Sequence, residues 1–572
     1  MTSNTPTESF DVAIVGAGPV GLAAAIDLAR RGRSVVVLER RENASTQPRA
    51  HVVNARTMEI FRGWGIAEPV KAVGLHPDLA RGFSWLTAMS ADALATLDYV
   101  DEETAERHSP ERLCSCPQDL IESTLLQRLG EFPTAAVRFG TEVTAVDDHG
   151  QDGVDLTART AKGTETVRAR FVLAADGANS TVRSLVGAGL TRSAALGRRA
   201  NIYFHADLSE VARDRPNILW FILSLETSGI FISLNGRDRW VYSVEVGPDT
   251  DVAAEFTDAH CVELLRLATG VPDLEPEIQS VLAWRVDMAI ADRWRVGSVF
   301  LVGDAAHQFP PMGGFGMNSG IQDAHNLVWK LDAVLAGVAG DALLDSYEAE
   351  RRDVALYNAN RSMENAKNQQ EAAAFMSNPE VLRLLAAEEG DEMRAIFAQG
   401  VEQQREEFHS QGQQFGFIYS SSAVVDDGTP AEESTVTLYM MSSHPGARAP
   451  HSRLRGSDGE VISTIDLFDR GWTVLSNGAT KAWADAAQAA AENTGVALAT
   501  ASVVPAAANP LEYVDERGDW QARYGLAASG AVLVRPDGHV AARWQQAPAD
   551  AGVELSAAIR SVLGAEVAAA RD

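Results

Sequence analysis

The chain has 572 residues, 46% of them hydrophobic and 22% charged, enough for two or three hydrophobic cores. Its 49 basic and 78 acidic side chains leave a net charge of -29, which repels nucleic-acid backbones and anionic lipid surfaces, so no nucleic acid and no membrane is expected as a partner. No run of about 18 apolar residues occurs, and the polar first ten residues carry no export signal, so a cytoplasmic protein is expected.

Asp11 to Val15 reads as a strand, Gly16-Ala17-Gly18-Pro19-Val20-Gly21 as a tight turn, and Leu22 to Arg30 as a helix stopped by Gly32. Ser34 to Leu38 is the next strand, ending on Glu39. In such a unit Gly16 permits the turn, Gly18 lets a pyrophosphate approach the backbone, and Gly21 lets helix and strand close together. The helix N-terminus, with Pro19 in its turn, favours the negative charge of a diphosphate, and Glu39 can accept hydrogen bonds from a ribose. A dinucleotide is therefore expected here.

From Val137 to Leu173 short strands are broken by Asp152-Gly153 and Lys162-Gly163, and Phe171 to Ala175 leads as a buried strand into Asp176-Gly177-Ala178-Asn179-Ser180. A strand-rich block over about Ala200 to Arg285, clearest at Phe221 to Leu223 and Gly229 to Ile232, suits an antiparallel sheet inserted for substrate. Val299 to Val302 returns to the buried-strand pattern and delivers Gly303-Asp304-Ala305-Ala306-His307, then Pro310-Pro311-Met312-Gly313-Gly314-Phe315-Gly316. A helix is expected from near Asn318, with Ile321, Ala324, Leu327, Val328 and Leu331 on one side as far as Leu335.

Helical composition continues to about Gly412, and the acidic, turn-rich Asp426 to Ser434 is the linker candidate. Beyond it Val436 to Met441, Trp472 to Leu475 and Ala531 to Arg535 read as strands among alanine-rich helices. Cys114, Cys116 and Cys261 are too few for a disulfide framework or a four-thiolate metal site and are expected to be buried and reduced. The 12 histidines include no His-Glu-x-x-His pair, and no metal is expected.

The three glycine motifs, in this order, resemble those of the single-component, class A flavoprotein monooxygenases, above all the phenol and 2,4-dichlorophenol hydroxylase branch, along nearly the whole chain. The resemblance implies an α/β fold with a Rossmann-like FAD-binding domain of the para-hydroxybenzoate hydroxylase kind, an inserted antiparallel-sheet substrate domain and a thioredoxin-like C-terminal domain. The expected division is FAD-binding domain over 1–75, 112–186 and 291–365, substrate domain over 76–111 and 187–290, helical segment and linker over 366–429, and C-terminal domain over 430–572. That last domain contains no Cys-x-x-Cys, so packing or subunit contact is its expected role, and a homo-oligomer stays open.

The same resemblance implies that Gly303 and Asp304 bring an aspartate to the FAD ribitol or ribose, and that Pro311, Gly313 and the backbone of Gly316, Met317 and Asn318 lie beside the isoalloxazine. Glycines allow amides to approach the flavin edge, where negative charge develops on reduction. Asp176 and Arg183 fall in a second fingerprint associated with FAD and the reduced nucleotide, Arg49 would meet the diphosphate, and Gln118 would contact the cofactor. His51 stands where phenol hydroxylase seats an aspartate and is the candidate base for a phenol proton. Trp284 and Arg285 are the candidate pocket-lining residues.

The implied reaction uses NADPH or NADH and O2 to hydroxylate a small aromatic substrate through a flavin C4a-hydroperoxide. No second Gly-x-Gly-x-x-Gly unit is present, so the nucleotide is expected to bind transiently. A Baeyer-Villiger or polyketide-tailoring oxygenase on the same scaffold is the alternative reading, and a non-catalytic flavin-binding assembly protein the remote one. The chain lacks a Trp-x-Trp-x-Ile-Pro motif, which argues against a halogenase.

Overall fold

In the computed structural model, residues 8–564 are described apart from 194, 377, 388, 389, 470, 479 and 480, so the expected outer boundaries at 1 and 572 lie outside the described residues. The strand Glu8–Val15 forms the middle of the first sheet, paired in parallel with Val35–Leu38 on one side and Gly163–Ala174 on the other. The path runs Arg295–Val296, Val299–Leu301, Gly163–Ala174, Glu8–Val15, Val35–Leu38, Ala135–Arg138. Its inner strands are covered on both faces, which is why Val35 to Leu38 is apolar without alternation.

Helix Pro19–Arg30 packs against helices Gln118–Leu129 and Phe315–Leu335. It starts three residues before the expected Leu22, because the fixed φ of Pro19 suits a first helical position. Phe315–Leu335 likewise starts before the expected Asn318, capped by Gly314 at φ 72°.

The second sheet has seven strands in the order Glu277–Val286, Gly197–His205, Arg239–Val246, Gly229–Ser233, Asn217–Ile222, Gly82–Leu86, Ala93–Asp98. It is mixed rather than purely antiparallel, since Asn217–Ile222 pairs in parallel with Gly82–Leu86. One face, through Ala200, Ile202 and Phe204, packs on helix Asp258–Thr269 at Cys261, Leu265 and Ala268. Strand alternation turns Arg199, Asn201, Ser243 and Trp284 to the other face, together with Phe221 and Trp85. Near Phe221 and Trp85 that face is closed by Val381, Leu385 and Phe397 of helices Pro379–Ala386 and Asp391–Gln403. Elsewhere it meets the first domain, where Ser280 Oγ donates to Gln47 Oε1 (2.9 Å) and Arg239 pairs with Asp119 (2.8 Å).

The C-terminal domain is thioredoxin-like. Trp472–Asn477 runs parallel to Leu498–Val503 and antiparallel to Ala531–Val534, with helices Lys481–Thr494 and Ala551–Leu563 packed together. Val436 to Met441, expected as a strand, has no strand pairing: its buried residues Val436 and Tyr439 are three apart, and Tyr439 packs on Phe415. The linker candidate is held in place, since Arg543 reaches Asp427 (2.7 Å) and Thr429 (2.6 Å).

Buried ion pairs join this domain to the first. Arg448 grips Glu59 (Nε to Oε2, 2.9 Å), and Glu350 receives Arg535 (2.6 Å) and Lys330 (2.8 Å). All three cysteines are buried, and burial pushes their thiols up, Cys114 and Cys261 to about 11. Asp426, Asp427 and His444 come close enough to share an ion, but the His444 nitrogens face the carbonyls of Pro445 and Thr429, and Asp427 is taken by Arg543. Among the described residues, no helix is long and apolar enough to cross a membrane.

Candidate active site

The three glycine motifs, up to about 300 residues apart, meet at one end of the parallel sheet. Gly16, at φ 106°, has its missing Cβ only 2.4 Å from the Ala175 carbonyl, so the first motif packs directly on the second. Gly21 would place a Cβ 2.0 Å from the Gly16 carbonyl, the close helix approach expected of it. Arg183 ties the second motif to the third, donating to the carbonyls of Ala305 (2.9 Å) and Ala178 (3.1 Å).

Gly18 differs from both. A Cβ there would meet nothing within 4 Å, so the protein's own packing does not require glycine, whereas a pyrophosphate laid on the helix N-terminus does. Gly316 is equally open. Gly313 (φ 95°) and Gly314 (φ 72°) bend the loop beneath helix Phe315–Leu335, whose first amides have no intrahelical partner. These glycines form a cradle that fits a dinucleotide lying from Gly18 towards Gly316.

Charge in the cleft is sparse. Burial alone would raise the Glu39 carboxyl, but hydrogen bonds from the Arg41 side chain and amide and from the Ala17 amide (2.8 Å) hold it below its usual range. Asp304 is exposed at the turn, and the protein around it raises its carboxyl by desolvation, against the opposing charges of His307 and Arg49. The Arg49 charge is therefore felt at Asp304, on the Gly303 turn (φ 58°).

His51 lies on the segment leading into the Val52–Val53 strand, which pairs with Cys114–Ser115. Its Nδ1 is 3.2 Å from Ser115 Oγ, and burial lowers its pKa to about 4. Gln118 opens the neighbouring helix, its amide donating to the Ala50 carbonyl (2.7 Å) and its side chain bonding Glu122 (2.8 Å). Asn318 fastens the glycine loop to this segment, donating to the Val52 and Gly314 carbonyls (2.9 and 2.6 Å) and accepting from the Asn54 amide (3.0 Å). Pro311 precedes Met312, which packs with Trp284, Val286 and Ala366; Met317 lies half-buried against the first core.

Two candidates are placed otherwise than expected. The Asp176 carboxylate accepts from Ser180 Oγ and from the Val182 amide (3.0 Å), so it braces the first turn of helix Thr181–Leu185, whose cap is Ser180. Arg285 alternates to the sheet face opposite Trp284, where it is 62% exposed beside Asp287 (3.4 Å), and so does not line the face that meets the first domain.

A buried cluster behind the third motif escapes sequence reading. Asp323 accepts from His307 Nε2 (2.6 Å) and Arg351 Nε (2.8 Å) and from the Gly303 amide (3.2 Å). It fixes the turn that carries Asp304. The one available signal was a charged residue within the buried span of helix Phe315–Leu335.

A parallel-sheet domain bearing this cradle, closed over by a separate substrate sheet, defines an FAD-dependent oxidoreductase. Residues 9–362 match the FAD binding domain family and residues 442–566 the aromatic-ring hydroxylase C-terminal family. The chain is 34% identical to a 4-methyl-5-nitrocatechol 5-monooxygenase of a Burkholderia species, covering 98% of each chain. It is 35% identical to the aklavinone 12-hydroxylase of Streptomyces purpurascens, over 97% of this chain and 98% of that one. A crystal structure of the flavin-dependent monooxygenase PieE with FAD and substrate superposes with a TM-score of 0.89 at 32% identity, covering 98% of this chain and 100% of the other. The chain therefore belongs to the FAD-dependent aromatic-ring hydroxylases, flavoprotein monooxygenases that act on phenolic and other aromatic substrates.

Proposed function

We propose that this monooxygenase hydroxylates a phenolic ring held between the glycine loop and the substrate sheet, with NADPH or NADH as a transient reductant. The observation that carries this reading is the meeting of three distant motifs in one cleft that faces a separate sheet. Bound FAD supplies hydride acceptance and oxygen activation. Gly16, Gly18, Pro19 and Gly21 receive the diphosphate with Arg49, Glu39 and Asp304 serve the sugar hydroxyls, and Gln118 lies alongside. The amides following Gly314 offer positive potential to an anionic flavin edge.

His51 is the proposed base. With Nδ1–H donating to Ser115 Oγ, Nε2 carries the lone pair that takes the phenol proton, and an ionised phenol pushes electron density into the ring. Because burial holds His51 at about 4, the imidazole is neutral throughout the physiological range but is a weaker acceptor than a free histidine, so it takes the phenol proton only where the phenolate is itself stabilised. His51→Ala is expected to slow hydroxylation by roughly a hundredfold while leaving FAD bound. Activity that needs neutral His51 should fall only as pH drops towards about 4, and equal turnover of variant and wild type at every pH would remove His51 from this role.

Asp304→Ala is expected to weaken FAD retention by about 1.5–3 kcal/mol, read by equilibrium dialysis, since a charged group hydrogen-bonded to the cofactor is lost. Unchanged retention would mean that the sugar is held elsewhere. The relatives named above act on 4-methyl-5-nitrocatechol and aklavinone, so the substrate panel spans single-ring phenols and polyketide-type phenols. FAD-loaded protein given NADPH or NADH should oxidise the nucleotide faster with its substrate and yield a product heavier by one oxygen; nucleotide oxidation indifferent to every phenol would count against this reading. The reduced buried thiols and the need for NAD(P)H support a cytoplasmic enzyme.

A further inference from the structure

The substrate-sheet face that looks onto the cleft is apolar at Ile230, Ile232 and Val241, yet it carries a cation, Arg199. Arg199 Nε donates to Ser243 Oγ (3.0 Å) and Nη2 to the Ser243 carbonyl (2.8 Å). Ser243 thus engages two of the five N–H donors and leaves the Nη1 edge for another acceptor. The Arg199 side chain is half-buried on this face, and burial lowers its pKa.

Arg199 forms no ion pair among the described residues. Glu245, across the strand pair, meets its charge only at a distance, and burial consequently lowers its pKa. A cation whose burial is only partly offset is costly, and its neighbours on that face, Glu245, Ser243, Asn201 and Trp284, give the Nη1 edge no acceptor among the described residues. An anion brought by a ligand would supply the missing partner.

Its location suits that ligand. Trp284 stands directly opposite Arg199 on the adjacent strand, and its Nε1 donates to Asn201 Oδ1 (2.9 Å). Trp284 also packs with Met312 of the glycine loop, so Arg199 lies on the sheet beside the point where the two domains close.

We propose that Arg199, braced by Ser243, binds an anionic oxygen of the substrate, either an ionised phenol or a ring carboxylate. The assignment rests on the reading given under Proposed function and adds the group that selects the substrate's charge. An Nη1–H donor on a braced guanidinium fixes the oxygen in direction as well as in charge, which orients the ring beneath the loop.

Calorimetric titration of the FAD-loaded protein tests it with two matched pairs, 2,4-dichlorophenol above its own pKa against 2,4-dichloroanisole, and benzoate against benzamide. Wild type should prefer the anion in at least one pair, and the pair that shows it identifies the oxygen. Arg199→Gln should lower that preference about tenfold or more with neutral-ligand binding unchanged, and Arg199→Lys should restore part of it. Should Arg199→Gln fail to fold, Ser243→Ala, which removes only the hydroxyl brace, should lower the preference by a smaller factor. Absence of anion preference in wild type, or a preference that survives these substitutions, overturns the proposal. FAD content is read on the same samples by absorbance: wild type without FAD would defeat the functional reading, whereas the affinity ratios judge Arg199 separately.

Discussion

Gly18→Val is expected to give a folded protein that has lost FAD. The backbone at Gly18 is extended (φ -77°, ψ 178°), which valine adopts freely, and its Cβ would enter open space. In the proposed placement the added side chain meets the diphosphate, whose approach to the amides depends on a bare backbone. A loss of at least about 3 kcal/mol, roughly a hundredfold in affinity, should leave the purified protein colourless. Far-ultraviolet circular dichroism should match wild type, with thermal stability lower only by what bound FAD contributes. Gly21→Val is the control in the opposite sense, because its Cβ would lie 2.0 Å from the Gly16 carbonyl and force helix and strand apart. A yellow Gly18→Val protein with wild-type affinity would mean that the cradle is not where the diphosphate lies.

Arg535→Met should destabilise the whole protein by about 3–5 kcal/mol, the usual effect of removing one partner of a buried ionic cluster. Arg535 lies between Glu350 (2.6 Å) and Asp537 (Nε to Oδ1, 3.0 Å), and Asp537 also accepts from Trp329 Nε1 (3.1 Å). Burial alone raises both carboxyls, but the Arg535 charge and its hydrogen bonds, joined at Glu350 by the Lys330 charge, together outweigh it, so each is held below its ordinary range. Carboxylates depressed in the fold contribute stability that is present above their unfolded pKa, near about 4, and is lost as pH falls through the folded values. Without Arg535 both carboxyls rise, so the acid loss should begin at higher pH. Melting temperatures at neutral and mildly acidic pH check this, and a variant melting like wild type at both would show that the C-terminal domain does not stabilise the rest through this cluster.

Local chemistry was legible in the sequence and long-range pairing was not. The turn at Gly16, the buried strands and the glycine loop each follow from residues adjacent in the chain, and the resemblance of these motifs to those of flavoprotein hydroxylases agrees with the family found by comparison. Asp323 was hidden because its partners His307 and Arg351 lie 16 and 28 residues away, and nothing local marks a buried carboxylate as paired. Arg199 stayed hidden for a related reason: only the strand register reveals that it shares a face with Trp284 while Arg285 does not. Val436 to Met441 misled because apolar content suggests a strand, yet a strand needs a partner edge, and the run instead packs singly against the Phe415 segment. An acidic, turn-rich linker composition likewise could not reveal that Arg543 would hold Asp427 and Thr429.

The most direct test of the central claim is the fate of isotopically labelled molecular oxygen during turnover with the best phenol of the panel. One labelled atom in the ring hydroxyl, formed in step with NAD(P)H oxidation, is the predicted result. Label found only in hydrogen peroxide or water, with the phenol recovered unchanged across the whole panel, would contradict the account.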